Sequence, residues 1–191
     1  MSTLYSVGQM NQLGDALETA GFTPDDVTKL RSFPQLGEIR SVLKGNAKIV
    51  ATKHIIDCDA SPHIPDRWEV RPKDQLPNAV KGQFEWDLDK VILWLSENQK
   101  NKTIKSTELR KELENQPVFN ANVLDYLLAH PELIPEEWKG RYVFFWGTIY
   151  RDSDGDLGVR YLRWFGGQWD WNCRWIGDSF AGGGPAAVAR K

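Results

Sequence analysis

The chain has little of what most obvious functional classes need. Only two cysteines, Cys58 and Cys173, occur among 191 residues, too few for a disulfide scaffold, so a reduced, cytoplasmic protein is expected. No run of about 18 apolar residues exists, which excludes a spanning helix. The opening MSTLYSVGQMNQLGD has neither a basic n-region nor an apolar h-region, and no secretory signal is expected. The net charge of −2 argues against a protein that coats duplex nucleic acid. There is no G-x-x-x-x-G-K-[ST], no G-x-S-x-G and no H-E-x-x-H. No motif asks for a cofactor, so none is expected, and an enzyme is less expected than a binding protein.

What the chain does have is tryptophan, nine in all, six of them between Trp138 and Trp175. Charged residues make up 26% and hydrophobic residues 41%, an ordinary globular balance.

The first 45 residues read as a small helical module. Val7, Met10, Leu13 and Leu17 fall at helical spacing and Gly21 closes the helix. Thr23-Pro24-Asp25-Asp26 starts a second helix, with Thr as N-cap, Pro at the first position and two acids against the dipole. A third runs from about Pro34 to Leu43. A helix-turn-helix reading is disfavoured because the turn glycine comes one residue late and Asp25-Asp26 would meet phosphates. A docking or dimerising bundle fits better.

Residues 45 to 53 read as a linker. The segment from Ile55 to Gly82 is broken by Pro62, Pro65, Pro72 and Pro77, with a short strand expected near Trp68 to Arg71. Helices are predicted from Asp87 to Asn98, from Ser106 or Thr107 through Leu113, and from Asn120 to before Pro131. From Arg141 the apolar period changes from 3.6 to 2, predicting an antiparallel meander over 142–151, 158–165 and 168–176. Asp154-Gly155 and Gly166-Gly167 serve as two-residue type I′ turns. The expected architecture is therefore α+β: a module at 1–45, a main domain at 54–180 of helices packed on a sheet of three or more antiparallel strands, and a flexible tail at 181–191.

Two-residue turns set the register. Tyr150 then faces Val159, Thr148 faces Tyr161, Trp146 faces Arg163, Arg163 faces Asp170 and Tyr161 faces Asn172. One face is core, with Arg160 its only charge. The other mixes rings with donors and acceptors, and Trp146, Tyr161, Arg163, Asp170, Asn172 and Arg174 form its candidate ligand platform. Such a surface suits a protein partner, or single-stranded nucleic acid held weakly by stacking, because Asp152, Asp154, Asp156 and Asp170 offset the arginines. The structural alternative is that helices cover this face.

Asp57, Cys58, Asp59 and His63 are the only crowd of ligand-type residues. A metal site would want a second cluster, and an enzyme with Cys58 as nucleophile activated by His63 or His54 would want an orienting third group, so a turn with Asp side chains accepting backbone N–H groups explains them better. Asp152, Asp154 and Asp156 lack the later bidentate Glu of a calcium loop and read as a hairpin turn.

The segments IDCDASPHIP (residues 56–65), NANVLDYLLAHPELIPEEWKG (120–140) and VFFWGTIYRDSDGDLGVRYL (143–162), with PAAV near the end, resemble a set of uncharacterised bacterial hypothetical proteins. The resemblance covers most of the chain. It implies that residues 55 to 188 form the main unit with the first 45 an added module, and it carries over no activity, cofactor or site residue.

Overall fold

The computed structural model describes residues 4–50 and 52–190; Met1 to Thr3 of the expected module, Ala51 of the linker and Lys191 of the tail lie outside them. Two compact units divide between Thr52 and Lys53.

The first unit is helical: α1 (Val7–Thr19), α2 (Pro24–Leu30) and α3 (Leu36–Leu43). Ser6 and Gln9 close a capping box on α1, and Thr23 with Asp26 does so on α2, where Pro24 takes the first position as predicted. None of the described side chains in these helices is buried. Met10, Leu13, Phe33 and Leu36 are exposed.

The second unit holds β1 (Ile55–Asp57), β2 (Gln83–Glu85), β3 (Val91–Trp94), α4 (Glu97–Asn101), β4 (Ile104–Lys105), α5 (Ser106–Leu113), α6 (Ala121–Ala129), β5 (Val143–Arg151), β6 (Leu157–Phe165), β7 (Gln168–Trp175), β8 (Ser179–Phe180) and β9 (Ala186–Ala189). The fold is α+β, and its main sheet runs β3-β9-β5-β6-β7. It is mixed rather than wholly antiparallel, because β9 lies parallel to β5. On one face α6 buries Val123, Leu124 and Leu127 against Val143, Phe145, Leu162 and Ala187. On the other, Leu109 and Leu113 of α5 join Ile104 and Phe180 over Phe144, Trp146, Ile149 and Val188. Each such fully buried side chain contributes about 1.5–3 kcal/mol.

Three local expectations are corrected. The helix expected from Asp87 to Asn98 does not form as such: a 3-10 turn at Leu88–Lys90 leads into β3 and the helix α4 begins only at Glu97, since Val91-Ile92 is β-branched and pairs with Val188 and Ala189. The strand near Trp68 is a single bridge, Glu69 to Arg151. The tail is not free: Ala186–Ala189 forms β9 between β3 and β5, with Ala187 and Val188 buried. Alanine is a weak strand former, but small side chains let both sheet neighbours close over it.

The meander forms over the predicted span, with one turn as expected and one different. Gly166 and Gly167 both take positive φ, 61° and 85°, and β6 and β7 pair without a break from Phe165↔Gln168 to Gly158↔Trp175. In the first hairpin only Gly155 is left-handed, at φ 93°, while Asp152 Oδ1 accepts from Asp154 N–H at 3.0 Å and Asp156 N–H at 2.9 Å. The loop is one residue longer than a type I′ turn, so Tyr150 faces Gly158 instead of Val159. A bulge between Phe144 and Ile149 then shifts the register again, and Phe144 rather than Thr148 faces Tyr161.

The bulge sits where the sheet meets α6. Gly147 N–H donates to Phe119 O at 2.9 Å, and Ala121 N–H donates to Thr148 Oγ1 at 3.0 Å. Gln75 takes the place of a strand at Ile149, accepting its N–H at 2.7 Å and donating to its carbonyl at 2.8 Å. The Gly147 N–H and both backbone groups of Ile149 thus find partners.

Candidate functional site

Alternation along β6 and β7 puts Tyr161, Arg163, Asp170, Asn172 and Arg174 on one face. Tyr161 stands opposite Asn172 and Arg163 opposite Asp170, as the sequence predicts. Arg163 Nη2 donates to Asp170 Oδ2 at 3.2 Å, and its guanidinium carbon lies 4.6 Å from the Phe165 ring centre. Arg174 Nη2 donates to Ser179 O at 2.8 Å, its Nε lies 3.8 Å from Asp178, and it covers Phe180 at 5.4 Å.

Trp146 does not belong to this platform. It is fully buried beneath the floor, 5.0 Å from Phe180 and 6.4 Å from Phe144 between ring centres. The shifted register moves it away from Arg163, and the ring exposed in its stead is Tyr142, 52% accessible and edge-on to Tyr161 at 5.2 Å. Burial pushes the Tyr161 hydroxyl above its ordinary range, with Arg163 pulling the other way.

Beside these rings lies a cleft of about 220 Å3, lined by Tyr142, Phe144, Arg174, Phe180, Gly183 and Gly184. A side chain at Gly184 would meet the Phe144 ring at 2.8 Å, so the glycine keeps the floor flat. Sequence reasoning missed Phe180, in β8, and Gly184, in the loop between β8 and β9, because those two strands are invisible without tertiary pairing. The run Ala181-Gly182-Gly183-Gly184 was the available signal for a close backbone approach.

The Asp57–His63 segment is a structural turn. Asp59 N–H donates to Asp57 Oδ1 at 3.0 Å. Asn120 Nδ2 donates to Cys58 O at 2.7 Å, and Asn122 Nδ2 to Asp57 O and Ala60 O at 3.0 and 2.7 Å. Burial, reinforced by Asp59 and Asp57, pushes the Cys58 thiol up to about 11, the opposite of what activates a nucleophile. His63 enters through its carbonyl, which accepts from Tyr150 Oη at 3.0 Å. Among the described residues no three His, Cys, Asp or Glu side chains could hold one metal ion. No helix among them is long and apolar enough to cross a membrane.

On the sheet's other face, Arg160 is buried at 1% side-chain exposure. Its Nη2 donates to Asp125 Oδ1 at 2.7 Å and its Nη1 to Tyr150 Oη at 3.3 Å, with the Trp171 ring centre 4.1 Å away. The single charge expected on the core face is thus paired and stacked.

Comparison with protein-family models, curated proteins and solved structures finds no match to this chain.

Proposed function

We propose that this chain is a non-catalytic binding protein of the cytoplasm whose partner is another protein, engaged by the cleft beside Tyr142, Tyr161, Asn172 and Arg174. The pre-paired state of the arginines carries this reading. Arg163 already holds Asp170, and Arg174 lies against Asp178 and the Ser179 carbonyl. Their attraction for phosphate is largely spent within the chain, which weakens the single-stranded nucleic-acid alternative. What the face still offers is the exposed Tyr142 ring and the half-buried Tyr161 beside an amide, a composition suited to a protein contact. The two free thiols, Cys58 and Cys173, suit a reducing compartment.

The test places a photo-crosslinking amino acid at Asn172 in cells and identifies the captured protein. Once purified, that partner should bind the wild-type chain and lose about tenfold affinity to Tyr142→Ala, on the order of 1.4 kcal/mol for an interface ring. A labelled oligothymidine that binds at physiological salt, and loses binding with Arg174→Ala, would favour the nucleic-acid alternative.

A further inference from the structure

The strand β7 ends the sheet, and among the described residues no strand pairs with its outer edge. Ile176 N–H donates inward to Leu157 O at 2.7 Å. By the two-residue alternation of an antiparallel ladder, the even-numbered residues of β7 bond to β6, and Trp169, Trp171, Cys173 and Trp175 aim their backbone groups outward. Edge strands are usually guarded by proline, charged side chains (lysine above all) or a bulge, and β7 carries two charges, Asp170 and Arg174. Residues Gln168–Trp175 contain neither proline nor lysine, and their pairing with β6 shows no register shift. A further guard is slight: the Asn172 side chain accepts from Cys173 N–H at 2.7 Å.

The charges on this edge are arranged about Asn172, and each already has a partner within its own chain, Arg163 for Asp170 and Asp178 for Arg174, that a second copy would share. Asp170 lies two residues before it and Arg174 two residues after it, on the same face. In an antiparallel pairing of β7 with a second β7 about a two-fold axis at Asn172, Asp170 of each chain stands opposite Arg174 of the other. These positions are non-hydrogen-bonded pairs between the two chains, because their backbone groups point inward to β6. Side chains approach closest at such pairs. The outward-facing residues then form the ladder, Trp171 with Cys173 and Trp169 with Trp175. On the opposite face the same register sets Trp169, half-buried, against Trp175, 38% exposed, so each tryptophan covers the other.

We infer that β7 joins a second copy of this chain edge to edge about a two-fold axis at Asn172, making one continuous ten-stranded sheet. One strand pairs only with itself in reverse, so the contact is isologous and closes at two copies. This edge shares Asn172 and Arg174 with the face proposed for a protein partner, and Tyr142→Ala tells the two apart, because it should weaken that partner and leave the dimer unchanged.

Sedimentation velocity on the full chain tests it. The wild type should sediment at twice the 21.8 kDa chain mass as concentration rises into the range of roughly 10–100 μM. Asp170→Arg places like charges opposite each other at both symmetry-related pairs and should raise the dissociation constant about tenfold or more. Adding Arg174→Asp to it reverses both charges and should return the constant to within about threefold of wild type. If Asp170→Arg does not fold, as judged by tryptophan fluorescence, Arg174→Asp alone serves as the repulsive variant, with the same double variant as its rescue. A wild type that stays monomeric to about 100 μM overturns the inference. So does a dimer that the folded single variant leaves unchanged, or one that the folded double variant does not restore.

Discussion

Replacing Asp125 by alanine should be among the more damaging single changes in the second unit. It leaves the Arg160 guanidinium, 1% exposed, without its carboxylate partner 2.7 Å away. Breaking a buried pair from one side costs about 3–5 kcal/mol. Asp125 is itself 29% exposed, so water can reach part of the vacated space and the lower end applies, about 3 kcal/mol. Two contacts limit the damage. Tyr150 Oη still accepts from Nη1, and the Trp171 face at 4.1 Å retains a cation–π contact of about 1–2 kcal/mol. The unit should therefore fold, with a melting temperature lower by about 10 °C. All nine tryptophans lie beyond Thr52, so urea unfolding followed by tryptophan fluorescence reports this unit alone. The second arm combines Asp125→Ala with Arg160→Met, which removes the stranded charge and fills its volume. The double variant should be more stable than Asp125→Ala by about 1 kcal/mol or more. A loss under about 1 kcal/mol for the single variant, or a double variant no better than it, would show that Arg160 finds its solvation elsewhere and would refute the reasoning.

Two further outcomes follow from packing and proton linkage. Gly147→Ala puts a Cβ 2.9 Å from the backbone of Asn120 and Phe119, where no flexible side chain can yield. A destabilisation of about 2 kcal/mol or more is expected, and an unchanged urea midpoint would place the bulge elsewhere in solution. Burial pushes the Cys58 thiol up to about 11 and the Cys173 thiol and Tyr150 hydroxyl up to about 12. The native state keeps these protons after the unfolded chain has begun to lose them. Stability is thus undiminished by these groups below about pH 9 and falls as pH rises from there through 12. Urea midpoints measured from pH 8 to 11 should decline, and both native thiols should resist alkylation at pH 8. Rapid labelling of either would contradict their placement.

Where local chemistry alone chooses a conformation, the sequence by itself determined the outcome. Thr23-Pro24 starts α2, and Asn120 caps α6 by accepting from Asn122 N–H. Gly166-Gly167 turns the second hairpin, so the pairs Arg163–Asp170 and Tyr161–Asn172 were readable before any coordinates. Each of these depends on residues within a few positions of one another. Tertiary structure decided the rest, because the deciding partners lie far away in the chain. Ala186–Ala189 is a strand only because β3 and β5 flank it, 98 and 42 residues earlier by the pairs Val91↔Ala189 and Phe144↔Ala186. Val91–Trp94 carries a pattern that suits a helix or a strand equally, and its pairing with β9 selects the strand. The first hairpin's turn shows the same competition over a shorter distance. Asp154-Gly155 favours a two-residue turn, yet the Asp152 side chain captures two backbone N–H groups and holds a longer one. That slip, and the bulge that Phe119 and Gln75 make tolerable, sank Trp146 into the core and left Tyr142 at the surface. A side chain's face in a sheet follows from register, and register here is settled by contacts that no local pattern encodes.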